Sequence, residues 1–252
     1  MNRFFLNPEC IQDNRVIFPV NSAAQIRRVL RLESGAMVMV LDNAGSQYQV
    51  RLEKVDTSAV EGIVLSKQPV EGEALTRLSL FCALTQREKL EWIIQKATEA
   101  GVAEIHFFSS RRSLVKHTDF NPAKLERWQA IAREAAEQCA RGCIPLVHPP
   151  VPFEKALEIG KQYPIRMAGW EAEETLNLSA YMREVNDCYP VNQDLNVAVF
   201  VGPEGGFDPL EVDVMRAADV KLVSVGARVL RVETAALLIP VLILYERGGF
   251  NL

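Results

Sequence analysis

Two strings near the end of the chain have the composition of ligand-binding turns. Gly202-Pro203-Glu204-Gly205-Gly206-Phe207 comes first, and Val225-Gly226-Ala227-Arg228-Val229-Leu230-Arg231-Val232-Glu233-Thr234-Ala235 follows after a further short segment. Glycine lets a backbone approach a ligand closely and leaves amide groups facing outward. Neither string has the spacing G-x-x-x-x-G-K-[ST] or G-x-G-x-x-G, so neither a nucleoside triphosphate nor a nicotinamide cofactor is indicated. The groups able to move or stabilise charge are Glu204, a carboxylate that can take a proton, and Arg231, a guanidinium that can face a developing anion. The bland readings stay open beside these. Glu204 can be a helix or loop cap, Arg228 and Arg231 can hold a phosphate or an internal ion pair, and Glu233 can be an acidic first-turn residue of the last helix.

The elements around the strings decide whether they form a site. Asn196 to Val201 is an almost unbroken apolar run, the pattern of a strand covered on both faces in a parallel sheet. Asp208, Pro209 and Glu211 supply an N-cap, an N1 proline and an acidic N3 residue, so a helix starts just beyond the first string. Lys221 to Val225 is strand-like and ends at Gly226, which puts the second turn where a neighbouring strand would end. Open α/β sheets bind ligands at such carboxyl ends.

The rest of the chain divides in two. Residues 1–70 read as a small β-rich unit: Val16 to Val20, Met37 to Leu41, Gln47 to Val55 and Val60 to Leu65 are strand-like, with a hairpin turn at Asp42-Asn43-Ala44-Gly45 and a short helix over Gln25 to Leu32. Short strands without βα alternation suggest a barrel. The polar stretch Lys67 to Glu73 is the expected boundary. In residues 74–252 strands and helices alternate: Leu78 to Leu84, a helix with Leu90, Ile93, Ile94 and Ala97 on one face, then Glu104 to Ser109. A long helix follows with an inward stripe of Leu125, Trp128, Ile131, Ala132, Ala135 and Cys139, and then strands at Ile165 to Trp170, Asn196 to Val201 and Lys221 to Val225. This alternation predicts an α/β fold with a parallel sheet. Ala172 to Asp194 shows no strong pattern. The last helix, from Thr234 to Arg247, is apolar on nearly every face, which requires either a central place in the core or cover from a second copy.

Composition narrows the function further. With 252 residues, 48% of them hydrophobic, the chain can bury an ordinary core without disulfide staples. Cys10, Cys82, Cys139, Cys143 and Cys188 contain no Cys-x-x-Cys pair, so buried reduced thiols and no metal site are expected, in a cytoplasmic setting. Ala235 to Tyr245 is interrupted by Pro240 and too short for a membrane span, so no membrane partner is expected. A net charge of −4 argues against indiscriminate nucleic-acid binding. Local clusters at Arg27, Arg28 and Arg31, and at Arg111, Arg112, Lys116 and His117, nevertheless have the composition of phosphate contacts, with a plain solvated face as the alternative.

Taken together, GPEGGF-D-P-x-E and V-G-A-R-V-L-R-V-E-T-A closely resemble the RsmE family, bacterial methyltransferases that make 3-methyluridine in small-subunit ribosomal RNA. The resemblance extends through Arg3-Phe4-Phe5, Glu91 to Gly101, Arg111-Arg112-Ser113 and Glu134 to Cys139. It implies a C-terminal SPOUT-type trefoil-knotted parallel-sheet domain over 74–252, a PUA-like β-barrel RNA-binding domain over 1–70, and a homodimer. It further implies S-adenosylmethionine as cofactor and 16S ribosomal RNA in the small ribosomal subunit as partner. Carried onto this sequence, cofactor contact falls to Ala168, Gly169, Val201, Gly202, Pro203, Glu204, Gly205, Val225, Gly226, Val229 and Leu230. RNA contact falls to Arg3, Arg27, Arg28, Arg31, Arg111 and Arg112, and the catalytic group to Arg231 or Glu204. Two other readings are a non-catalytic RNA-binding ribosome-assembly factor and a SPOUT methyltransferase acting on another RNA.

Overall fold

The run Asn196 to Val201 needs apolar cover on both faces, and it has it. In the computed structural model, which describes residues 1–250, it is the third of six strands in an all-parallel sheet. The chain forms two compact units, the first comprising Met1–Glu73 with Ala136–Ile144, the second Ala74–Ala135 with the described residues from Pro145 onward.

In the first unit, β1 (Arg3–Phe5), β2 (Ile11–Gln12), β3 (Arg15–Ile17), β4 (Met37–Leu41), β5 (Ser46–Val55) and β6 (Val60–Pro69) form one mixed sheet in the order β1-β4-β5-β6-β3-β2. Only the β1–β4 pairing is parallel. The hairpin turn at 42–45 joins β4 to β5, with Asn43 and Gly45 at positive φ and the Asp42 carboxylate accepting from the Ala44 and Ser46 amides. Val16, Val38, Val40, Val50, Leu52, Val60 and Ile26 close the core inside the sheet. Two local expectations are corrected. Val20 does not extend a strand but starts α1 (Val20–Ala24), because Pro19 ends the extended run and serves as the helix N-cap. The helix expected over Gln25 to Leu32 is a π-type turn over Gln25–Val29, and Arg31 leaves it at φ 51°.

In the second unit the strands are β7 (Thr76–Ala83), β8 (Glu104–Ser109), β9 (Leu146–Pro152), β10 (Ile165–Gly169), β11 (Leu195–Val201) and β12 (Lys221–Val223), in the order β12-β10-β11-β7-β8-β9. The helices are α2 (Arg87–Glu99), α3 (Ala123–Gln138, whose last three residues belong to the first unit), α4 (Phe153–Gly160), α5 (Leu178–Cys188), α6 (Pro209–Ala217) and α7 (Val232–Glu246). α4 and α6 cover the face that carries Phe81, Phe108, Ala168, Ala198 and Phe200. α7 covers the opposite face, where its Ile239 meets Gly169 so closely that a Cβ at 169 would lie 2.5 Å from the isoleucine Cδ1. The expected adjacency of the strands that carry the two glycine turns is corrected: β10 lies between β11 and β12. Pairing order is a non-local choice that the pattern within one strand does not encode.

Three features were absent from the sequence pattern. β9 contains Pro149 and Pro150, which suit only an edge strand, and β9 is an edge. α4 directly continues it. α5 lies in the unpatterned stretch, started by the Asn177 side chain accepting from the Ala180 amide and anchored by Leu178, Tyr181, Met182 and Val185. The cysteines also differ from expectation. None is in a disulfide among the described residues, but only Cys82 is fully buried, and Cys188 is exposed.

Across β9, β8, β7 and β11 the rings of His148, His106, Phe81 and Phe200 stack in one ladder, with centroids 3.9, 4.4 and 4.5 Å apart. Glu104 sits 3.0 Å from His148 Nε2 and 3.3 Å from His106 Nε2. These three side chains are close enough together for a metal. Their imidazole planes are nearly parallel, however, 8° apart, so one ion cannot lie in both ring planes at once. The group is better described as a carboxylate hydrogen-bonded to His148 with His106 close beside it. Burial holds His106 below the ordinary histidine value against the upward pull of Glu104, and the nearby His106 and His148 Nε2 groups hold Glu104 far below the carboxylate range.

Both shifts have the same sign for stability. As pH falls, the unfolded chain takes up these protons before the folded protein does. The His106 contribution is therefore complete above about pH 6.5 and is lost progressively below it. Thermal melts of the wild type are expected to fall between about pH 7 and 5, and those of His106→Phe, which keeps the ring stack, to be flatter over that window. Equal slopes for the two proteins would contradict this.

Candidate active site

The ends of β10, β11 and β12 are in register, with Gly169 paired to Val201 on one side and to Val223 on the other. All three strands run the same way, so the loops that leave them converge on one edge of the sheet. They enclose a cleft of about 250 Å³. Gly169 and Trp170 come from the first loop and Gly202 to Phe207 from the second. Ser224 to Gly226 with Arg228 to Leu230 come from the third, and Val232, Ala235 and Ile239 of α7 form the floor.

Of the residues singled out in the sequence, Gly169, Val201, Gly202, Pro203, Glu204, Gly205, Val225, Gly226, Val229 and Leu230 all line this cleft. Ala168 does not: it is fully buried in β10 with its side chain in the core on the other face. Alternation along the strand gives the reason, since successive side chains point to opposite faces. Arg231 is not in the lining either. It is the exposed N-cap of α7, one residue beyond the lining Leu230. The lining residues that the sequence did not single out are Trp170, Glu171, Ser224 and the α7 side chains. An inward α7 face could have been inferred from the helix start at 232, but Glu171 carried no local signal.

Each glycine loop is held by partners distant in the chain. The Glu204 carboxylate, directly after Pro203, accepts from Thr85 Oγ1 and from Lys89 Nζ at 2.9 Å. Lys89 also lies 3.9 Å from Glu233 in the first turn of α7, so one ammonium links α2 to both strings. Burial alone would raise the Glu204 pKa, but the hydrogen bonds from Thr85 and Lys89 outweigh it and hold the carboxyl below its usual value. A carboxylate held in that state is a weak proton acceptor. Beneath it, burial and then the Glu204 and Glu233 charges push the Cys82 thiol up, which keeps it an inert packing group.

On the other side, the capping box predicted from Asp208 and Glu211 is present. Glu211 does more than cap. It is buried, and it accepts from Ser110 Oγ at 2.9 Å, the Arg111 amide at 2.9 Å and the Asp208 amide at 3.0 Å. Arg112 donates to the Gly205 carbonyl at 3.0 Å and pairs with Asp208 at 3.5 Å. Of the basic residues in this loop, Arg112 thus braces the first glycine turn, while the Arg111 side chain stays exposed beside it. Arg3, Arg27, Arg28 and Arg31 belong to the first unit, on β1, the π-type turn and the residue after its C-cap Leu30.

The chemistry of the lining fits a nucleoside with a short polar tail better than a polyphosphate. Valine, leucine and isoleucine walls suit an aromatic ring, glycine amides suit its edges, and Arg228 is the single cation among the described residues of the lining, too little positive charge for a polyphosphate. The family profile of the RNA methyltransferase domain matches residues 72–243, which include the whole cleft. A ribosomal RNA small subunit methyltransferase E from Mesomycoplasma hyopneumoniae (strain 232) is 30% identical over 94% of this chain and 96% of its own. The chain belongs to this methyltransferase E family. Its counterpart in Bacillus subtilis (strain 168) is 30% identical over 84% of this chain and 82% of its own. The crystal structure of the Neisseria gonorrhoeae enzyme of the same name, bound to S-adenosyl methionine, superposes with a TM-score of 0.83. That match covers 97% of each chain at 25% identity. The family likeness stated from GPEGGF and GARVLRVETA therefore holds along nearly the full sequence.

Proposed function

We propose that this protein methylates N3 of a uridine in 16S ribosomal RNA of the small ribosomal subunit, with S-adenosylmethionine as methyl donor. The observation that carries the reading is the convergence of three glycine-bearing strand ends on one cleft, in a chain of the methyltransferase E family. When bound, S-adenosylmethionine supplies an electrophilic methyl group on a positively charged sulfur. The residues of this chain align the two reactants and exclude water, which is the larger part of a displacement of this kind.

The acceptor nitrogen carries a proton that must leave before its lone pair can attack. Glu204 fits the role of base poorly, because Thr85 and Lys89 already occupy it. Arg231 fits the role of anion stabiliser. A cation at a helix N-terminus opposes the helix dipole, and Arg231 makes no side-chain capping bond to compensate. A residue that breaks the local rule at the rim of a cleft suits a functional charge. Among the described residues its guanidinium has no ion-pair or hydrogen-bond partner.

Other parts of the reading rest on the family. The second unit is taken as a SPOUT domain with a trefoil knot, and residues 1–70 as a PUA-like domain. Arg3, Arg27, Arg28, Arg31 and Arg111 are taken to meet RNA phosphates in a cytoplasmic setting. A homodimer would cover α7, whose Tyr245 is 69% exposed in one chain although the helix is almost wholly apolar.

The test is to incubate the protein with S-adenosylmethionine labelled in its methyl group and small subunits lacking the modification, then locate the label. Transfer to N3 of one uridine in 16S RNA is expected. Bound donor with no transfer would overturn the proposal, absence of any donor affinity would support the non-catalytic assembly factor, and transfer only to another RNA would support a relative with a different substrate.

A further inference from the structure

Three charged side chains line the cleft, Glu171, Glu204 and Arg228, and two of opposite sign are left over once Glu204 and the charges that brace its loop have been given their partners. Glu204 is held by Thr85 and Lys89, Asp208 by Arg112, and Glu211 by Ser110 and two amides. Glu173 accepts from the Thr175 and Leu176 amides, which shape its own loop. Glu171 and Arg228 remain. Both line the cleft and its extension past Ser224 and Gly226, and neither side chain has a hydrogen-bond or ion-pair partner among the described residues, including each other.

The position of Glu171 also explains a glycine. Gly206 has φ +69°, and a Cβ there would overlap the Glu171 carboxylate. Glycine at 206 is thus what lets the carboxylate lie against the second loop at the mouth of the cleft. An unpaired carboxylate and an unpaired guanidinium on one cleft are complementary to a zwitterion, a ligand end that carries an ammonium and a carboxylate a few bonds apart.

We propose that Glu171 and Arg228 hold the amino-acid end of the methyl donor, the ammonium on Glu171 and the carboxylate on Arg228. This rests on the reading of the cleft as the S-adenosylmethionine site. It assigns the apolar part of the lining, Val225, Val229, Leu230 and Ile239, to the nucleoside, and the charged rim to the tail. Charge-assisted bonds at a partly enclosed rim then fix which way round the donor lies, and so where its methyl group points.

The experiment is calorimetric titration of wild type, Glu171→Gln and Arg228→Gln with three ligands. These are S-adenosylmethionine, S-adenosylhomocysteine, and 5′-methylthioadenosine, which keeps the nucleoside and sulfur but lacks the amino-acid end. Each substitution is expected to weaken the first two ligands about tenfold or more, the size of one lost charge-assisted bond. The affinity for methylthioadenosine is expected to stay unchanged. Unaltered S-adenosylmethionine affinity in both variants would overturn the assignment, and so would an equal loss for methylthioadenosine, which would mean that the substitutions merely disturb the loops. Failure of the wild type to bind any of the three ligands would overturn the donor-site reading itself. Both side chains are exposed, so the variants are expected to melt with the wild type, which keeps the affinity comparison interpretable.

Discussion

Replacing Arg231 with asparagine is expected to give a protein that is slightly more stable than the wild type and slower in methyl transfer by about 10²- to 10³-fold. The two effects have separate causes. Asparagine is among the best N-cap residues, and at the start of α7 it can accept from a first-turn amide that Arg231 leaves without a side-chain partner. It also removes a positive charge from the positive end of the helix dipole. The gain is about 1 kcal/mol, the usual range for an N-cap. The loss in rate follows from removing the charge proposed to face the uridine anion, with a magnitude like that of deleting one preorganised donor at a developing anion. Because Arg231 lies outside the cleft lining, the dissociation constant of S-adenosylmethionine is expected not to change. Single-turnover rates, donor titrations and melting curves together decide it. A full rate in Arg231→Asn would remove Arg231 from the mechanism, and a fall in donor affinity equal to the fall in rate would make it a binding group instead.

The largest effect on stability is expected at Arg247, the C-cap of α7, which is 3% exposed. Its guanidinium donates to Thr76 Oγ1 at 3.0 Å, Asn186 Oδ1 at 2.9 Å, the Pro190 carbonyl at 3.0 Å, the Gln193 carbonyl at 3.3 Å and the Tyr189 carbonyl. One side chain at the end of α7 thereby ties together the turn between α5 and β11 and the start of β7. A methionine of similar length would fill the volume, leave the buried Thr76 hydroxyl without this donor, and untie the carbonyls of 189–193 that the guanidinium gathers. The cost is about 3 kcal/mol, since a set of charge-assisted hydrogen bonds is lost and the buried Thr76 hydroxyl is left without its donor. At roughly 2–4 °C per kcal/mol for a unit of this size, the melting temperature should fall by about 10 °C. Arg247→Lys should recover part of the loss, because an ammonium offers fewer donors but keeps the charge at the helix C-terminus. Donor affinity should fall with Arg247→Met as well, since the same helix carries Val232, Ala235 and Ile239 into the cleft. A melting temperature within about 2 °C of wild type would refute the account.

Both residues show how unevenly the molecule can be read from its sequence. The capping box of Asp208 and Glu211 was legible because every contact in it lies within one helical turn. β11 was legible because a strand covered on both faces must be apolar throughout. The hairpin turn at 42–45 was legible from its Asn and Gly. β9 was hidden by its two prolines, tolerated only because the strand lies at the sheet edge, and α5 by the polar residues on either side of its apolar stripe. Arg247 read as the end of an apolar helix, with nothing nearby to mark it as buried. Its partners are Thr76 and residues 186–193, distant in sequence, and their convergence is a property of the packed chain.

The candidate site divides along the same line. The sequence by itself determined which residues form the two glycine turns, where the helix after the first of them begins, and the family to which the pair belongs. These depend on contacts between near neighbours, or on motif identity. Only the tertiary structure decided that β10 separates the two strands, that Ala168 faces away from the cleft, and that Lys89 ties Glu204 and Glu233 together. It alone left Glu171 and Arg228 unpaired at the rim. Strand order, side-chain facing and the pairing of charges far apart in sequence are set when non-local surfaces pack, and no short stretch of residues contains that information.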